Sequence, residues 1–369
     1  MDLQLPPLVD HHCHGVLRTG PEPPAFERYL TESAAPAAPG TSYFDSQLGF
    51  AVRRWCPPLL DLEPHCPPEV YLARRSELGS EEATRRLLQG AGIGAYAVDT
   101  GLPGDLTDPG ELVELAGGTA TAHEIVRLET LAESLASKAD SPADLLDAID
   151  AAVADATRTA TGFKSIAAYR HGLDFDPAPP AREEAERAAT RWLAAGAGRL
   201  DDPVLIRHLL WSAIRTGRPL QLHTGFGDTD LKLHRADPLL LTDFLHATAP
   251  LGTPVVLLHG YPYHRHAAYL SAVFPHAHAD VGLALSHTGT RAEAVLAETL
   301  ELAPFGKLLF STDAYALPEL YVTGAQLFRE ALTRLLTRWT ADGSWSEPDA
   351  HRVATLLAAD NARRVYGLA

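Results

Sequence analysis

Five side chains of metal-ligating type fall at comparable places in this sequence. His12 and His14 stand as HCH in VDHHCHG, His223 in LQLHTGFGD, His259 in PVVLLHGYP and Asp313 in LLFSTDAYALPELY. Each follows or ends a short apolar run rich in Val, Leu and Ile. Imidazoles with one carboxylate suit a borderline divalent ion such as zinc, leaving a position open for water. Such an ion polarises a carbonyl and makes hydroxide available near neutral pH. A single histidine at a strand end is more often a hydrogen-bonded core or rim residue; the joint pattern of five is what points to a metal.

The elements that must position these residues read as strands alternating with helices, the signature of βα units and a parallel sheet. Eight strands are expected, at 8–10, 94–99, 123–128, 162–167, 219–223, 254–259, 278–282 and 307–311. Eight such units predict an α/β fold, a (β/α)8 TIM barrel, whose C-terminal strand ends converge on one mouth. Alternation along strand one puts His12 and His14 on one side with Asp10, turns His11 outward to pack between strand and helix, and faces Cys13 away from the site. One barrel over residues 1–369 is expected, with helical insertions at about 18–90 and about 175–217 covering the top face. Within the second, Asp202 and Pro203 announce an N-capped helix. Leu145, Leu146, Ile149 and Val153 space out an amphipathic helix.

Composition agrees with an enzyme-sized globular chain. The 369 residues are 46% hydrophobic and 21% charged, which excludes disorder as the main character, and 31 basic against 47 acidic residues leave a formal charge of −16. That charge disfavours nucleic acid or an anionic membrane surface as a partner. Three cysteines without CxxC spacing fit a reducing compartment, and with no leader-like N-terminus and no stretch of 18 apolar residues a cytoplasmic protein is expected. A homodimer is the default expectation for its assembly. The glycines of QGAGIGAYAV precede a strand, the wrong context for a dinucleotide loop, and neither GxxxxGK[ST] nor GxSxG occurs.

The segments VDHHCHG, LQLHTGFGD, LLHGYP and FSTDA resemble, in order, the amidohydrolase superfamily of metal-dependent barrels. GFKSIAAYRHGL, HTGFGDTDL, STDAYALPELY and NARRVYGL are similar to its amidohydrolase-related (amidohydrolase 2) branch, closest to the nodulin-type and FluG-type N-terminal domains. In those proteins such a domain can precede a glutamine-synthetase-like one; a fused ligase is not expected here. The resemblance implies that His12, His14, His223 and Asp313 bind a catalytic divalent ion, zinc first, with manganese or iron as alternatives. It also implies that Asp313 is the general base, and that His259 either joins a second ion or positions the water. Lys164 falls where two-ion members carry a carbamylated lysine. Its alternatives are a cation for a substrate carboxylate or a residue reaching to the rim.

Arg127 and Glu129 in HEIVRLETLAE share a side by alternation, and Arg170 follows strand four; these three are candidates for substrate recognition, an arginine fork suiting a substrate carboxylate. A buried Arg127–Glu129 ion pair is the competing reading. Asp228 and Asp230 either support a ligand histidine or cap a helix, and Tyr263 to His266 either cover the mouth or open an exposed helix. His287 is placed near the end of strand seven without a role. The activity expected is hydrolysis of an amide-like C–N bond in a small substrate of amino-acid or γ-glutamyl amide type. A decarboxylase (C–C lyase) on the same residues is the runner-up, and a non-catalytic binding barrel the third reading.

Overall fold

The computed structural model describes residues 3–368. Eight parallel strands form one sheet in chain order: β1 Leu8–Cys13, β2 Ile93–Asp99, β3 Thr121–Arg127, β4 Gly162–Ser165, β5 Leu220–Thr224, β6 Val255–His259, β7 Ala277–Asp280 and β8 Leu308–Leu309. Beyond its two residues, β8 meets β1 through backbone bonds from His11 N to Phe310 O at 3.2 Å and from Asp313 N to His12 O at 3.0 Å. The result is the expected (β/α)8 barrel, with all eight strands within a few residues of their expected places.

Period-2 alternation sorts the strands into two layers. Leu8, Tyr96, Phe163, Leu220, Leu222, Val255 and Leu257 face the surrounding helices and join the larger core. Val9, Ala95, Ala97, Ile125, Val256, Leu258 and Leu309 fill the barrel interior, where they pack against Ala359, Ala362, Val365 and Tyr366 of the C-terminal helical run. That run therefore plugs the N-terminal end of the barrel. The helices follow their sequence signals. Asp202 accepts from the backbone of Val204 and Leu205 to cap Pro203–Ile214, and Ser141 caps Pro142–Ala156, which buries Leu145, Leu146, Ile149 and Val153.

Residues between β1 and β2 form helices, including Gln47–Trp55, Pro68–Leu78 and Ser80–Ala91, and residues 31–34 of this stretch reach the barrel mouth. A buried bond from Arg75 Nε to Glu319 Oε1 at 2.7 Å, with Tyr71 donating to the same oxygen at 2.8 Å, fastens this segment to helix Pro318–Ala341. Between β4 and β5 lie Arg182–Ala194 and Pro203–Ile214. Among the described residues no helix is long and apolar enough to cross a membrane.

Two sequence expectations fail here for local reasons. Val9 lies in the barrel interior and Leu8 on the helix side, so alternation carries His11 inward, its Nε2 2.9 Å from Asp280 and its Nδ1 3.1 Å from the Tyr366 hydroxyl; the register slip between Asp10 and Cys13 is what lets His12 face the mouth against that parity. Strand β3 ends at Arg127 and a helix starts at Leu128, so Glu129 does not share a strand face with Arg127.

Candidate metal centre

The mouth of the barrel is assembled at the seam of β1 and β8. Beyond those strands the two chain segments run side by side, with His14 N donating to Ala314 O at 2.8 Å and Leu17 N to Ala316 O at 2.9 Å. This pairing brings Asp313 Oδ1 to 2.9 Å from His12 Nε2 and 3.4 Å from His14 Nε2. Candidate donor atoms of His12, His14 and Asp313 all lie within 4.8 Å of one another. His259 Nε2 is 3.6 Å from Asp313 Oδ2. The His223 ring stands beside the group, 4.8 Å from the His259 ring, with its Nε2 3.2 Å from Phe226 O. Lys164 points inward from β4, its Nζ 2.9 Å from His12 Nε2 and 3.7 Å from Asp99 Oδ2.

Alternation would turn His259 outward, because Val256 and Leu258 face the interior. A left-handed backbone, φ +67° at His259, reverses that, and Asp313 is left-handed as well at +50°. Such conformations cost a non-glycine residue on the order of 1–3 kcal/mol and gather where a function requires them.

The local electrostatics favour neutral rings at His12, His223 and His259 and a charged carboxylate at Asp313. Burial, reinforced by Lys164, pushes the His12 imidazole down to about 3. Burial lowers His223 far below its ordinary value, with His259 adding to it, and lowers His259 too. Burial alone would raise Asp313, yet His259, His12 and His14 outweigh it and hold the carboxyl well below the usual range. Lys164 is lowered by burial against the opposing pull of Asp99 and Asp313. Neutral imidazoles around a carboxylate are the protonation states a divalent ion requires.

The residues fit such an ion by an independent criterion. His14 Nδ1 lies 3.1 Å from Asp99 O, which fixes the ring with Nε2 toward Asp313. His12 Nδ1 and both ring nitrogens of His259 are buried without a hydrogen-bond partner among the described residues. Buried polar atoms are rarely left so. The sequence profile of the amidohydrolase family matches residues 76–368. The chain belongs to the amidohydrolase family.

Among similar proteins, this amidohydrolase is 28% identical to protein fluG of Emericella nidulans over 99% of its own length, spanning 46% of that relative. A protein of Lactobacillus casei ATCC 334, classed provisionally as a metal-dependent hydrolase, is 29% identical and superposes with a TM-score of 0.85, covering 99% of this chain and 96% of the other. A uronate isomerase of Bacillus halodurans C-125, at 13% identity and a TM-score of 0.64 over 99% of this chain and 94% of that one, shares the fold.

Above the cluster this amidohydrolase has a cavity of about 540 Å³, with His14, Lys164, His223 and Asp313 among its lining. Arg127 and Arg170 line it as well, each with a carboxylate partner behind it. Arg127 forks onto Asp99 Oδ2 at 3.0 and 2.6 Å, and Arg170 pairs with Glu133 at 2.7 Å. Neither the Arg127–Glu129 pair nor a place for Glu129 in the lining is observed. Glu129 is fully buried and accepts from Ser165 Oγ at 2.6 Å and Ile166 N at 3.0 Å.

Asp228 and Asp230 line the mouth without bonding a site histidine: Asp228 accepts from the Asp230 backbone, and Asp230 pairs with Arg199 at 2.7 Å. The residues 263–266 open helix His264–Val273 and make side contacts, His264 with Glu298 and His266 with Asp237. Cys13 Sγ lies against Ala97 O at 3.7 Å. His287 sits in helix Gly282–Thr288, 3.3 Å from Glu32. Glu32, Tyr169 and Tyr315 line the cavity and had no signal in the sequence, since their places follow from loop and turn conformations.

Proposed function

We propose that this chain is a metal-dependent hydrolase cleaving an amide-like C–N bond in a small substrate that bears a carboxylate, of amino-acid or γ-glutamyl amide type. The observation that carries the reading is the approach of His12, His14 and Asp313 to one point, with His12 Nδ1 and both His259 ring nitrogens buried without a hydrogen-bond partner among the described residues. In this proposal His12, His14, His223 and Asp313 hold a divalent ion, zinc first. Lys164 as a carbamate and His259 join them if two ions bind. When bound, the ion supplies Lewis acidity toward the scissile carbonyl and activates water.

The remaining work falls to the chain. Asp313, kept as a carboxylate by its histidine neighbours, takes a proton from the attacking water at a side-chain oxygen and returns it to the leaving nitrogen. His259, in contact range of Asp313 Oδ2, orients that oxygen. Arg127 and Arg170 face the cavity from its wall and receive the substrate carboxylate, their own partners Asp99 and Glu133 fixing the guanidinium planes. Residues 31–34, together with Tyr169 and Tyr315, cover the cavity and limit bulk water.

The test is a panel of N-acyl amino acids and γ-glutamyl amides incubated with metal-loaded protein, with released amine and released carbon dioxide both measured. Amine release, lost in Asp313→Asn, is the expected result. Carbon dioxide without amine would replace hydrolysis with a C–C lyase, and no turnover of any panel member would favour a binding barrel.

A further inference from the structure

We propose that Asp10 and Asp280 are positioning residues, two buried carboxylates that clamp the left-handed turns carrying Asp313 and His259. The inference rests on the reading of those two residues as part of a metal centre, and it assigns work to side chains that lie below that centre.

Asp280 is fully buried at the end of β7. Its Oδ1 accepts from His259 N at 2.6 Å and Gly282 N at 3.2 Å; its Oδ2 accepts from His11 Nε2 at 2.9 Å and from the Ser311 hydroxyl. One side chain thus ties the ends of β6 and β7 to β1 and to the segment after β8. The bond at 2.6 Å falls on the residue whose φ is +67°. His11 is held from the other side by Tyr366 at 3.1 Å, and Gln221 Nε2 donates to both the His11 carbonyl at 2.8 Å and the Tyr366 hydroxyl at 2.9 Å. The C-terminal plug therefore anchors the clamp.

Asp10 does the same for Asp313. Its Oδ1 accepts from Thr312 N at 2.9 Å, its Oδ2 from Thr312 Oγ1 at 2.5 Å, and Thr312 Oγ1 in turn accepts from Ala314 N at 3.0 Å. Of the two neighbours of Asp313, itself at φ +50°, Thr312 bonds directly to the fully buried Asp10 side chain and Ala314 is tied to it through the Thr312 hydroxyl. Neither Asp10 nor Asp280 is among the residues lining the cavity, so neither can touch a substrate held there.

The chemistry explains the residue type. Asp280 meets four donors, and an ionised carboxylate has about four acceptor positions and no proton to offer. Backbone in a sparsely populated conformation persists only where its surroundings over-determine it. Replacement by Ala removes every acceptor. Replacement by Asn keeps one oxygen for the His259 amide and presents an NH2 to His11 and Ser311, which can answer by tautomer and by hydroxyl rotation.

The experiment compares wild type, Asp280→Ala, Asp280→Asn, Thr312→Val and Phe244→Ala, the last a buried core residue remote from the cluster. Two quantities are read. One is amide hydrogen exchange of His259 in the metal-free protein, followed with 15N-histidine labelling; the other is Zn2+ affinity by chelator competition. Asp280→Ala is expected to speed exchange of the His259 amide at least tenfold and to weaken zinc about 10- to 100-fold, the usual effect of losing a partner behind a metal ligand.

Asp280→Asn should stay within about threefold of wild type on both, by the acceptor count above. Thr312→Val, close in shape to the native residue, should weaken zinc about tenfold, since it cuts the link from Asp10 to Ala314. Phe244→Ala should lower Tm while leaving zinc affinity in place. The proposal is overturned if Asp280→Ala keeps a slow His259 amide and full zinc affinity. It is equally overturned if Phe244→Ala weakens zinc as much as Asp280→Ala does. If Asp280→Ala does not fold, unchanged zinc binding by Thr312→Val overturns it. Should wild type take up no zinc, the metal reading fails, and His259 exchange in Asp280→Ala and Asp280→Asn decides the clamp by itself.

Discussion

At the N-terminal end of the barrel, Val9, Ala95, Ile125, Val256 and Leu309 close on Ala362, Val365 and Tyr366, whose hydroxyl pairs with His11 and Gln221, although Gln221 Oε1 has no hydrogen-bond partner among the described residues. At the C-terminal end, the strands of the barrel lead into His12, Lys164, His223, His259 and Asp313, two of them in left-handed backbone and two with ring nitrogens lacking a hydrogen-bond partner among the described residues. One end is solved as a packing problem. The other holds strain and unsatisfied donors and acceptors, the combination found where a protein binds or reacts. The difference separates what keeps the barrel folded from what it is built to do, and each prediction below probes one end while watching the other.

The largest effect is expected at the mouth. Asp313→Asn should reduce turnover of whichever panel substrate is found by about 10²- to 10⁴-fold, the worth of a positioned proton carrier, with little change in Tm. Steady-state kinetics and a melting curve on the same preparation check both halves. At the closed end the pattern should invert: Ile125→Ala, fully buried in the interior cluster, should cost about 2–5 kcal/mol of stability through lost burial and a cavity. Its kcat/KM should stay within about twofold of wild type, because that end is remote from the proposed chemistry. Urea denaturation alongside kinetics would show it, and a large loss of kcat would erase the distinction between the ends.

A third prediction uses pH. His278, buried at the closed end near Lys307 and Arg364, is pushed by burial, and then by those cations, down to about 4 from an ordinary 6.5. The unfolded chain therefore binds more protons than the folded one between those values, so this contribution is complete above pH 6.5 and is lost as the pH falls toward 4. Wild type should lose about 3 kcal/mol more than His278→Leu between pH 7 and 4, measured by denaturant titration. Smallest of all, Arg170→Met should raise KM about tenfold for a carboxylate-bearing substrate while kcat holds, since one charged hydrogen bond is worth roughly 1.5 kcal/mol. Equal losses in KM and kcat would instead place Arg170 in the reacting geometry.

The barrel was legible because its strands are short apolar runs whose order and number admit few arrangements, and all eight stand close to their expected places. The cluster was legible for a related reason: parallel strands deliver their C-terminal ends to one mouth, so strand-end histidines converge without knowledge of the loops. Alternation failed where the backbone leaves the regular strand. The register slip after Asp10 turned His12 to the mouth, while His11 kept the inward parity of Val9, the early helix at Leu128 carried Glu129 away, and the left-handed turn at His259 aimed it against its strand's parity. Glu32 and Tyr315 reach the cavity from segments whose paths depend on long-range contacts such as Arg75 with Glu319, which no local pattern encodes.

The central claim, that the open end is a metal centre, is tested most directly by counting divalent ions per chain in protein purified without chelator, by elemental analysis, for wild type and His14→Gln. The account predicts at least one ion in wild type and a loss in the variant; two would support Lys164 as a carbamate bridge, and one would favour Lys164 as a substrate or structural cation. A reproducible count of zero in wild type, with no ion taken up on adding zinc, manganese or iron, would contradict it.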